Sequence, residues 1–129
     1  LKDIYKTKVY KLSKWRNHVA KNDEFRVEKP IPENILLKEP SAELAFDQKD
    51  TDSLPSYDEL DTILEYLIED DLAVQEVVKK GFLKKTVVNV KNLLYLSEYK
   101  RYQACPGPKI SRRPFSLGRR IPIVNHWRD

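Results

Sequence analysis

Methionine is absent from the 129 residues, cysteine occurs once and glycine only three times. Each shortage closes a class of function. The single Cys105 cannot form an internal disulfide, and no second Cys or His lies near it at zinc-ligand spacing. A reducing, cytoplasmic setting is therefore the expectation. Three glycines leave little material for turns that cradle phosphate, and neither a GxGxxG pattern nor a Walker loop occurs. Ser13, Ser41, Ser56 and Ser97 lack a G-x-S-x-G context, and His18 and His126 stand most of the chain apart, with no Cys or carboxylate at metal spacing. No run approaches the ~18 apolar residues that a membrane helix needs. The opening LKDIYKTKVY has no signal-peptide core. A chain with no initiator methionine that enters a helical pattern almost at once reads as a piece of a longer protein.

Charge and proline are what the chain has in quantity: charged residues make up 34% and prolines number eight. The length allows one domain at most. The net charge of +4 averages an acidic middle and two basic flanks. The acidic middle, KEPSAELAFDQKDTDSLPSYDELD at 38–61, organises the rest. Pro40 biases the residue before it away from helix. Glu43, Asp47, Asp50, Asp52 and Asp58 come after it, with Lys49 the only base among them. Ser56-x-x-Glu59 then precedes an apolar run, the signature of a capped helix start. An acidic loop bounded by prolines empties into an amphipathic helix.

Periodicity places the helices. Tyr5, Val9, Leu12, Trp15 or Arg16, and Val19 recur at three-to-four spacing and predict a helix from Tyr5 to about Ala20, closed by Asn22 and Asp23, with a lysine-rich outer face. An extended connector comes next, and Pro32-Glu33 opens a short turn of helix through Leu37. Leu60, Ile63, Leu64, Leu67 and Ile68 form one stripe on a helix from Tyr57 to about Glu69, with Asp58, Asp61, Glu65 and Glu69 on its other side. After a turn at Asp70-Asp71, a short helix through Val74, Val77 and Val78 starts at the poor capper Ala73 and stops at Gly81. A last helix sets Leu83, Val87, Val90 and Leu94 on one stripe, runs to Tyr99 or Gln103, and is ended by Cys105-Pro106-Gly107-Pro108. The basic tail beyond it is irregular, with 121–124 the one strand candidate. Taken alone the chain is mainly α, and folding its basic tail towards the acidic loop is electrostatically favourable.

Two short signals point to chemistry. Asp3-x-x-Lys6-Thr7 sets a lysine where a helix begins, and a helix N-terminus with a nearby ammonium suits phosphate. Taken alone, the signal is weak, and a solvated lysine is the better reading of it. Glu98-Tyr99-Lys100-Arg101 ends the last helix, where Lys100 and Arg101 complement the helix C-terminus and Tyr99 offers a ring for stacking. A tail rich in Arg112, Arg113, Arg119 and Arg120 is a conceivable nucleic-acid contact, but the acidic middle would repel the same polyanion.

Four segments carry a resemblance that covers nearly the whole chain. KDIYKTKVYKLSKWRN, EPSAELAFDQKDTDSLPSYDELD, SEYKRYQACPGPKISRRPF and SLGRRIPIVN are each similar to segments of NAD synthetases, in particular the C-terminal portion of the bacterial glutamine-dependent kind. The resemblance implies the helical part of a Rossmann-like α/β domain, of the kind found in adenine nucleotide hydrolases and ATP pyrophosphatases. It implies a carbon–nitrogen ligase that adenylates deamido-NAD with Mg-ATP and lets ammonia, from glutamine or free, displace AMP. It places Lys6 and Ser41 at ATP, and Tyr99 and Lys100 at deamido-NAD, in a homo-oligomeric enzyme. It assigns this chain no catalytic residue and no metal ligand, the magnesium ligands lying outside it.

Tyr102 stands where the family pattern has a second arginine, which puts one cationic contact in doubt. The family's SGGxDS-type loop is missing from the chain, so the chain alone is expected to be inactive. The expected layout is a first helix and connector at 1–38, an acidic mobile loop at 39–56, a helical region at 57–104 and a basic irregular tail at 105–129. The alternative is a non-catalytic helical interaction module derived from such an enzyme. Neither nucleic acid nor membrane is an expected partner.

Overall fold

Helix α1 spans Lys6–His18 and opens with the Val9 N–H donating to the Tyr5 carbonyl at 3.1 Å. Its end is set by side chains. Asn17 Nδ2 donates to the Ile31 carbonyl at 2.8 Å while its Oδ1 accepts the Ile31 N–H at 3.1 Å. His18 Nδ1 donates back to the Lys14 carbonyl at 2.7 Å. With those groups engaged, β-branched Val19 turns extended, at φ −70° and ψ 124°, and the helix stops short of the Ala20 limit that periodicity suggests. Arg16 donates to the Val27 carbonyl at 2.8 Å, so the connector folds back along the end of α1. Helix α2, Glu33–Leu37, starts after Pro32 as expected. Neither helix buries a residue, and Leu12 and Trp15 are more than half exposed.

These elements come from a computed structural model that describes residues 3–19, 24, 27–38, 54–114 and 120–124. The expected acidic loop, apart from its last residues, lies outside the described residues, as do Asn22 and Asp23. The chain forms two compact units, Tyr5–Tyr57 and a second one made of Leu1–Ile4 with Asp58–Asp129. Among the described residues the secondary structure is helical throughout, without a strand.

The second unit holds the core. Helix α3, Tyr57–Leu64, continues as a π-helical turn over Glu65–Glu69, marked by Asp70 N–H donating to the Glu65 carbonyl at 3.2 Å. A π turn is wider than an α turn and rotates the side chains beyond it relative to a continuous α-helix. Leu60, Ile63 and Leu67 are buried, while Leu64 and Ile68 are half-buried. Asp61, expected on the polar side, is instead buried at 8% exposure. Its position shares a face with Leu64 and Ile68, three and seven residues on, so it flanks the apolar stripe. Asp71, at φ 57°, makes the left-handed turn after the π segment, a conformation that Asp tolerates better than most residues.

Helix α4, Val74–Lys79, starts at Ala73 as expected. The missing capping side chain is offset from the other side, because Glu76 accepts the Ala73 N–H at 2.8 Å. The helix ends through Gly81 at φ 105°, beyond the reach of residues with a Cβ. Helix α5, Lys84–Leu96, buries Val87 and Val90 and packs on α4, whose Val74 and Val77 are buried; α4 in turn packs on the π-helical turn. Leu83, expected on that stripe, is 73% exposed: it is the N-cap, in extended conformation, and so falls outside the helical rotation. Tyr66 and Phe82 meet edge to face at 6.2 Å. Ser97 breaks the expected single last helix, and helix α6, Glu98–Gln103, begins after it. Residues 121–124, the strand candidate, form no strand but end in a turn.

Candidate functional site

Lys6 is the first residue of α1 and is exposed. Tyr5, at the N-cap, makes no side-chain cap and no acid occupies the first turn. The N-terminus of this thirteen-residue helix carries the positive end of its dipole, with no acid in its first turn to offset it. Lys6 Nζ lies 5.8 Å from the Tyr57 ring centre, and Lys8 Nζ 5.2 Å from that of Tyr5. Two ammonium groups thus rest on aromatic faces at the positive end of a helix. That combination favours an anion, phosphate in particular.

The second candidate cluster lies in the other unit, on α6. Tyr99 is 43% and Tyr102 51% exposed, and a spacing of three puts both rings on one helix face. Lys100 Nζ sits 6.0 Å from the Tyr99 ring centre. The Arg120 guanidinium, from the tail, sits 5.3 Å from that of Tyr102. Glu98, one turn before Tyr102, is turned inward. It is 1% exposed, its Oε2 takes the Arg101 guanidinium at 3.3 Å with both side chains buried, and its Oε1 accepts the Ile121 N–H at 3.1 Å. Arg101 is thus an internal ion-pair partner rather than the exposed helix-end charge that its place in the sequence suggests.

Carboxylates also hold Ile110, Ser111 and Arg113 of the tail. Asp3 Oδ2 accepts the N–H groups of Ile110 at 2.7 Å and Ser111 at 2.8 Å, and its Oδ1 takes the Ser111 hydroxyl at 2.7 Å. Glu69 accepts the Arg113 N–H at 3.1 Å, and the Arg113 guanidinium meets Asp71 at 3.0 Å. An irregular segment has to place its backbone donors somewhere, and here acids from distant parts of the sequence receive them.

Of the residues singled out by sequence, Tyr99 and Lys100 stand together on α6, and Lys6 belongs to the other unit. Ser41 lies outside the described residues. Sequence reasoning named Glu98 within the Glu98–Arg101 signal but gave it no role of its own, because nothing local shows that its carboxylate is buried. It named Arg120 only as one of the tail's basic residues, because no local pattern pairs a tail arginine with Tyr102. Among the described residues no group of three or more His, Cys, Asp or Glu side chains is placed to hold a metal ion.

Residues 1–104 match the family model of NAD synthase. The chain belongs to the NAD synthase family. Two relatives that match it along nearly its whole length bear one name. It is 48% identical over 130 residues to the glutamine-dependent NAD(+) synthetase of Rhodobacter capsulatus, covering 100% of this chain and 24% of that protein. It is 49% identical over 128 residues to that of Acinetobacter baylyi, covering 99% of this chain and 23% of that protein. A solved glutamine-dependent NAD+ synthetase from Acinetobacter baumannii, in complex with ADP, superposes with a TM-score of 0.57 at 41% identity, over 99% of this chain and 20% of that one. The chain therefore spans a fifth to a quarter of the length of the NAD synthetases it matches.

Proposed function

We propose that the chain works as part of a glutamine-dependent NAD synthetase, a cytoplasmic ligase that converts deamido-NAD to NAD. The carrying observation is the identity of 48% that extends over the whole chain to a protein of that name. A solved relative in complex with ADP supports an adenine nucleotide as co-substrate. In this reading the substrate carboxylate attacks the α-phosphate of ATP, pyrophosphate leaves, and ammonia then displaces AMP from the acyl-adenylate. The helical units of this chain cover part of a Rossmann-like α/β domain in a homo-oligomer.

Lys6 and the N-terminus of α1 hold ATP phosphates, where charge develops as pyrophosphate departs. Ser41 contacts the same nucleotide, and the acidic segment at 39–56 closes over it to exclude water that would hydrolyse the acyl-adenylate. Tyr99 and Lys100 hold deamido-NAD by ring stacking and charge. Magnesium enters with ATP as part of the co-substrate, on ligands outside this chain.

The test is a pair of substitutions in the enzyme that carries this chain. Lys6→Ala is expected to raise KM for ATP and slow adenylation, and Lys100→Ala to raise KM for deamido-NAD with little effect on ATP. A lost charge-assisted contact corresponds to roughly tenfold or more in the affected constant. Lys100→Ala that lowers the melting temperature and leaves both constants alone would make Lys100 a helix-end charge only.

A further inference from the structure

We infer that Arg120 is a second anion-binding residue of the Lys100 site and takes a phosphate of the dinucleotide. This rests on the reading of Tyr99 and Lys100 as the deamido-NAD contact. The exposed face of α6 carries two phenol rings three residues apart, each with one cation over it, Lys100 at Tyr99 and Arg120 at Tyr102. The only acid of the helix, Glu98, is turned inward and engaged with Arg101 and the Ile121 N–H. No carboxylate of α6 therefore neutralises this face.

The same Glu98 contact anchors the tail at the residue next to Arg120. A buried carboxylate thus fixes the backbone from which the guanidinium reaches Tyr102. A guanidinium already restrained on a ring has less rotamer freedom to lose when it engages a phosphate, and its planar fork suits phosphate oxygens. Two cations and two rings side by side match an elongated anion with flat ends, which a dinucleotide is. Position 102 itself supplies a ring and no charge. The tail brings the charge to it from outside the helix, which removes the doubt that Tyr102 raises in the sequence.

The experiment measures KM for deamido-NAD and for ATP in the enzyme carrying Arg120→Ala, Arg120→Lys or Lys100→Ala, with the melting temperature of each. Arg120→Ala is expected to raise KM for deamido-NAD about tenfold, the usual effect of losing a charge-assisted contact. KM for ATP and the melting temperature stay unchanged, and Arg120→Lys restores part of the loss because it keeps the charge without the planar fork. Unchanged constants in Arg120→Ala beside a raised deamido-NAD constant in Lys100→Ala would overturn the role of Arg120 and leave the lysine reading standing. The reverse result would support Arg120 and remove Lys100. A fall in melting temperature in Arg120→Ala, with both constants raised alike, would make Arg120 a packing residue and overturn the inference.

Discussion

Replacing the Glu98 side chain by the methyl group of alanine removes at once the ion-pair partner of Arg101 and the acceptor of the Ile121 N–H. Glu98 is 1% exposed, so water cannot substitute for it without opening the packing. Removing one member of a buried pair costs about 3–5 kcal/mol, most of it the penalty of the charge left behind. Glu98→Gln keeps an acceptor for the Ile121 N–H but, like Glu98→Ala, takes the counter-charge from the buried Arg101 guanidinium, so it spares the tail contact and not the ion-pair penalty. Amide exchange in the enzyme that carries the chain is expected to speed up along α6 in both variants, and at Ile121 strongly in Glu98→Ala but only modestly in Glu98→Gln, which keeps the acceptor. Equal exchange in both variants and the parent would mean that the pair does not hold the tail. Lys100, an exposed neighbour, lies at the other extreme: its removal should leave stability within about 0.5 kcal/mol.

Among the elements, the helices arise from repeating local pattern and the tail does not. The valines of α4 and α5 and the stripe of α3 were readable because a side chain three or four positions on must share its face. Gly81 and the prolines after Cys105 marked ends for reasons internal to their own backbone. The misreadings have equally local causes. Leu83 has the right spacing but sits at the N-cap, and Asp61 has a polar side chain but shares the flank of Leu64 and Ile68. The tail is different in kind. Its backbone donors are received by Asp3 and Glu69, the first 107 residues away, and no window of sequence shows such a partner. The site divides in the same way, with Lys6, Tyr99 and Lys100 suggested by motif and Arg120 visible only once the tail is placed. If Asp3 is what positions the start of the tail, Asp3→Ala should raise amide exchange at Ile110 and Ser111 and leave Val87 and Val90 as protected as before. Unchanged protection at Ile110 and Ser111 would show that Pro106 and Pro108 alone set that path.

At the scale of the molecule, the distribution of charge and of elements argues that this chain does not complete the reaction by itself. Forming and then aminolysing an acyl-adenylate requires ATP phosphates, a divalent ion and the substrate carboxylate to be held together within reacting distance. The chain offers cations, Lys6 in one unit and Lys100 with Arg120 in the other. Its three glycines provide no phosphate-cradling loop, and its described residues gather no metal-ligand set. It spans 24% of the length of one relative and 20% of a solved one. In the proposed reading it contributes charge and rings, and charges on exposed side chains bind weakly and lose strength as salt rises. The chain as the only protein, supplied with deamido-NAD, Mg-ATP and ammonia, is therefore expected to release no NAD above the protein-free blank. The enzyme that contains the chain is expected to turn over under the same conditions. Sustained production of NAD by the chain alone, abolished by Lys100→Ala, would mean that these helices assemble the whole reaction centre, and the division of labour between this chain and the rest of the enzyme would have to be discarded.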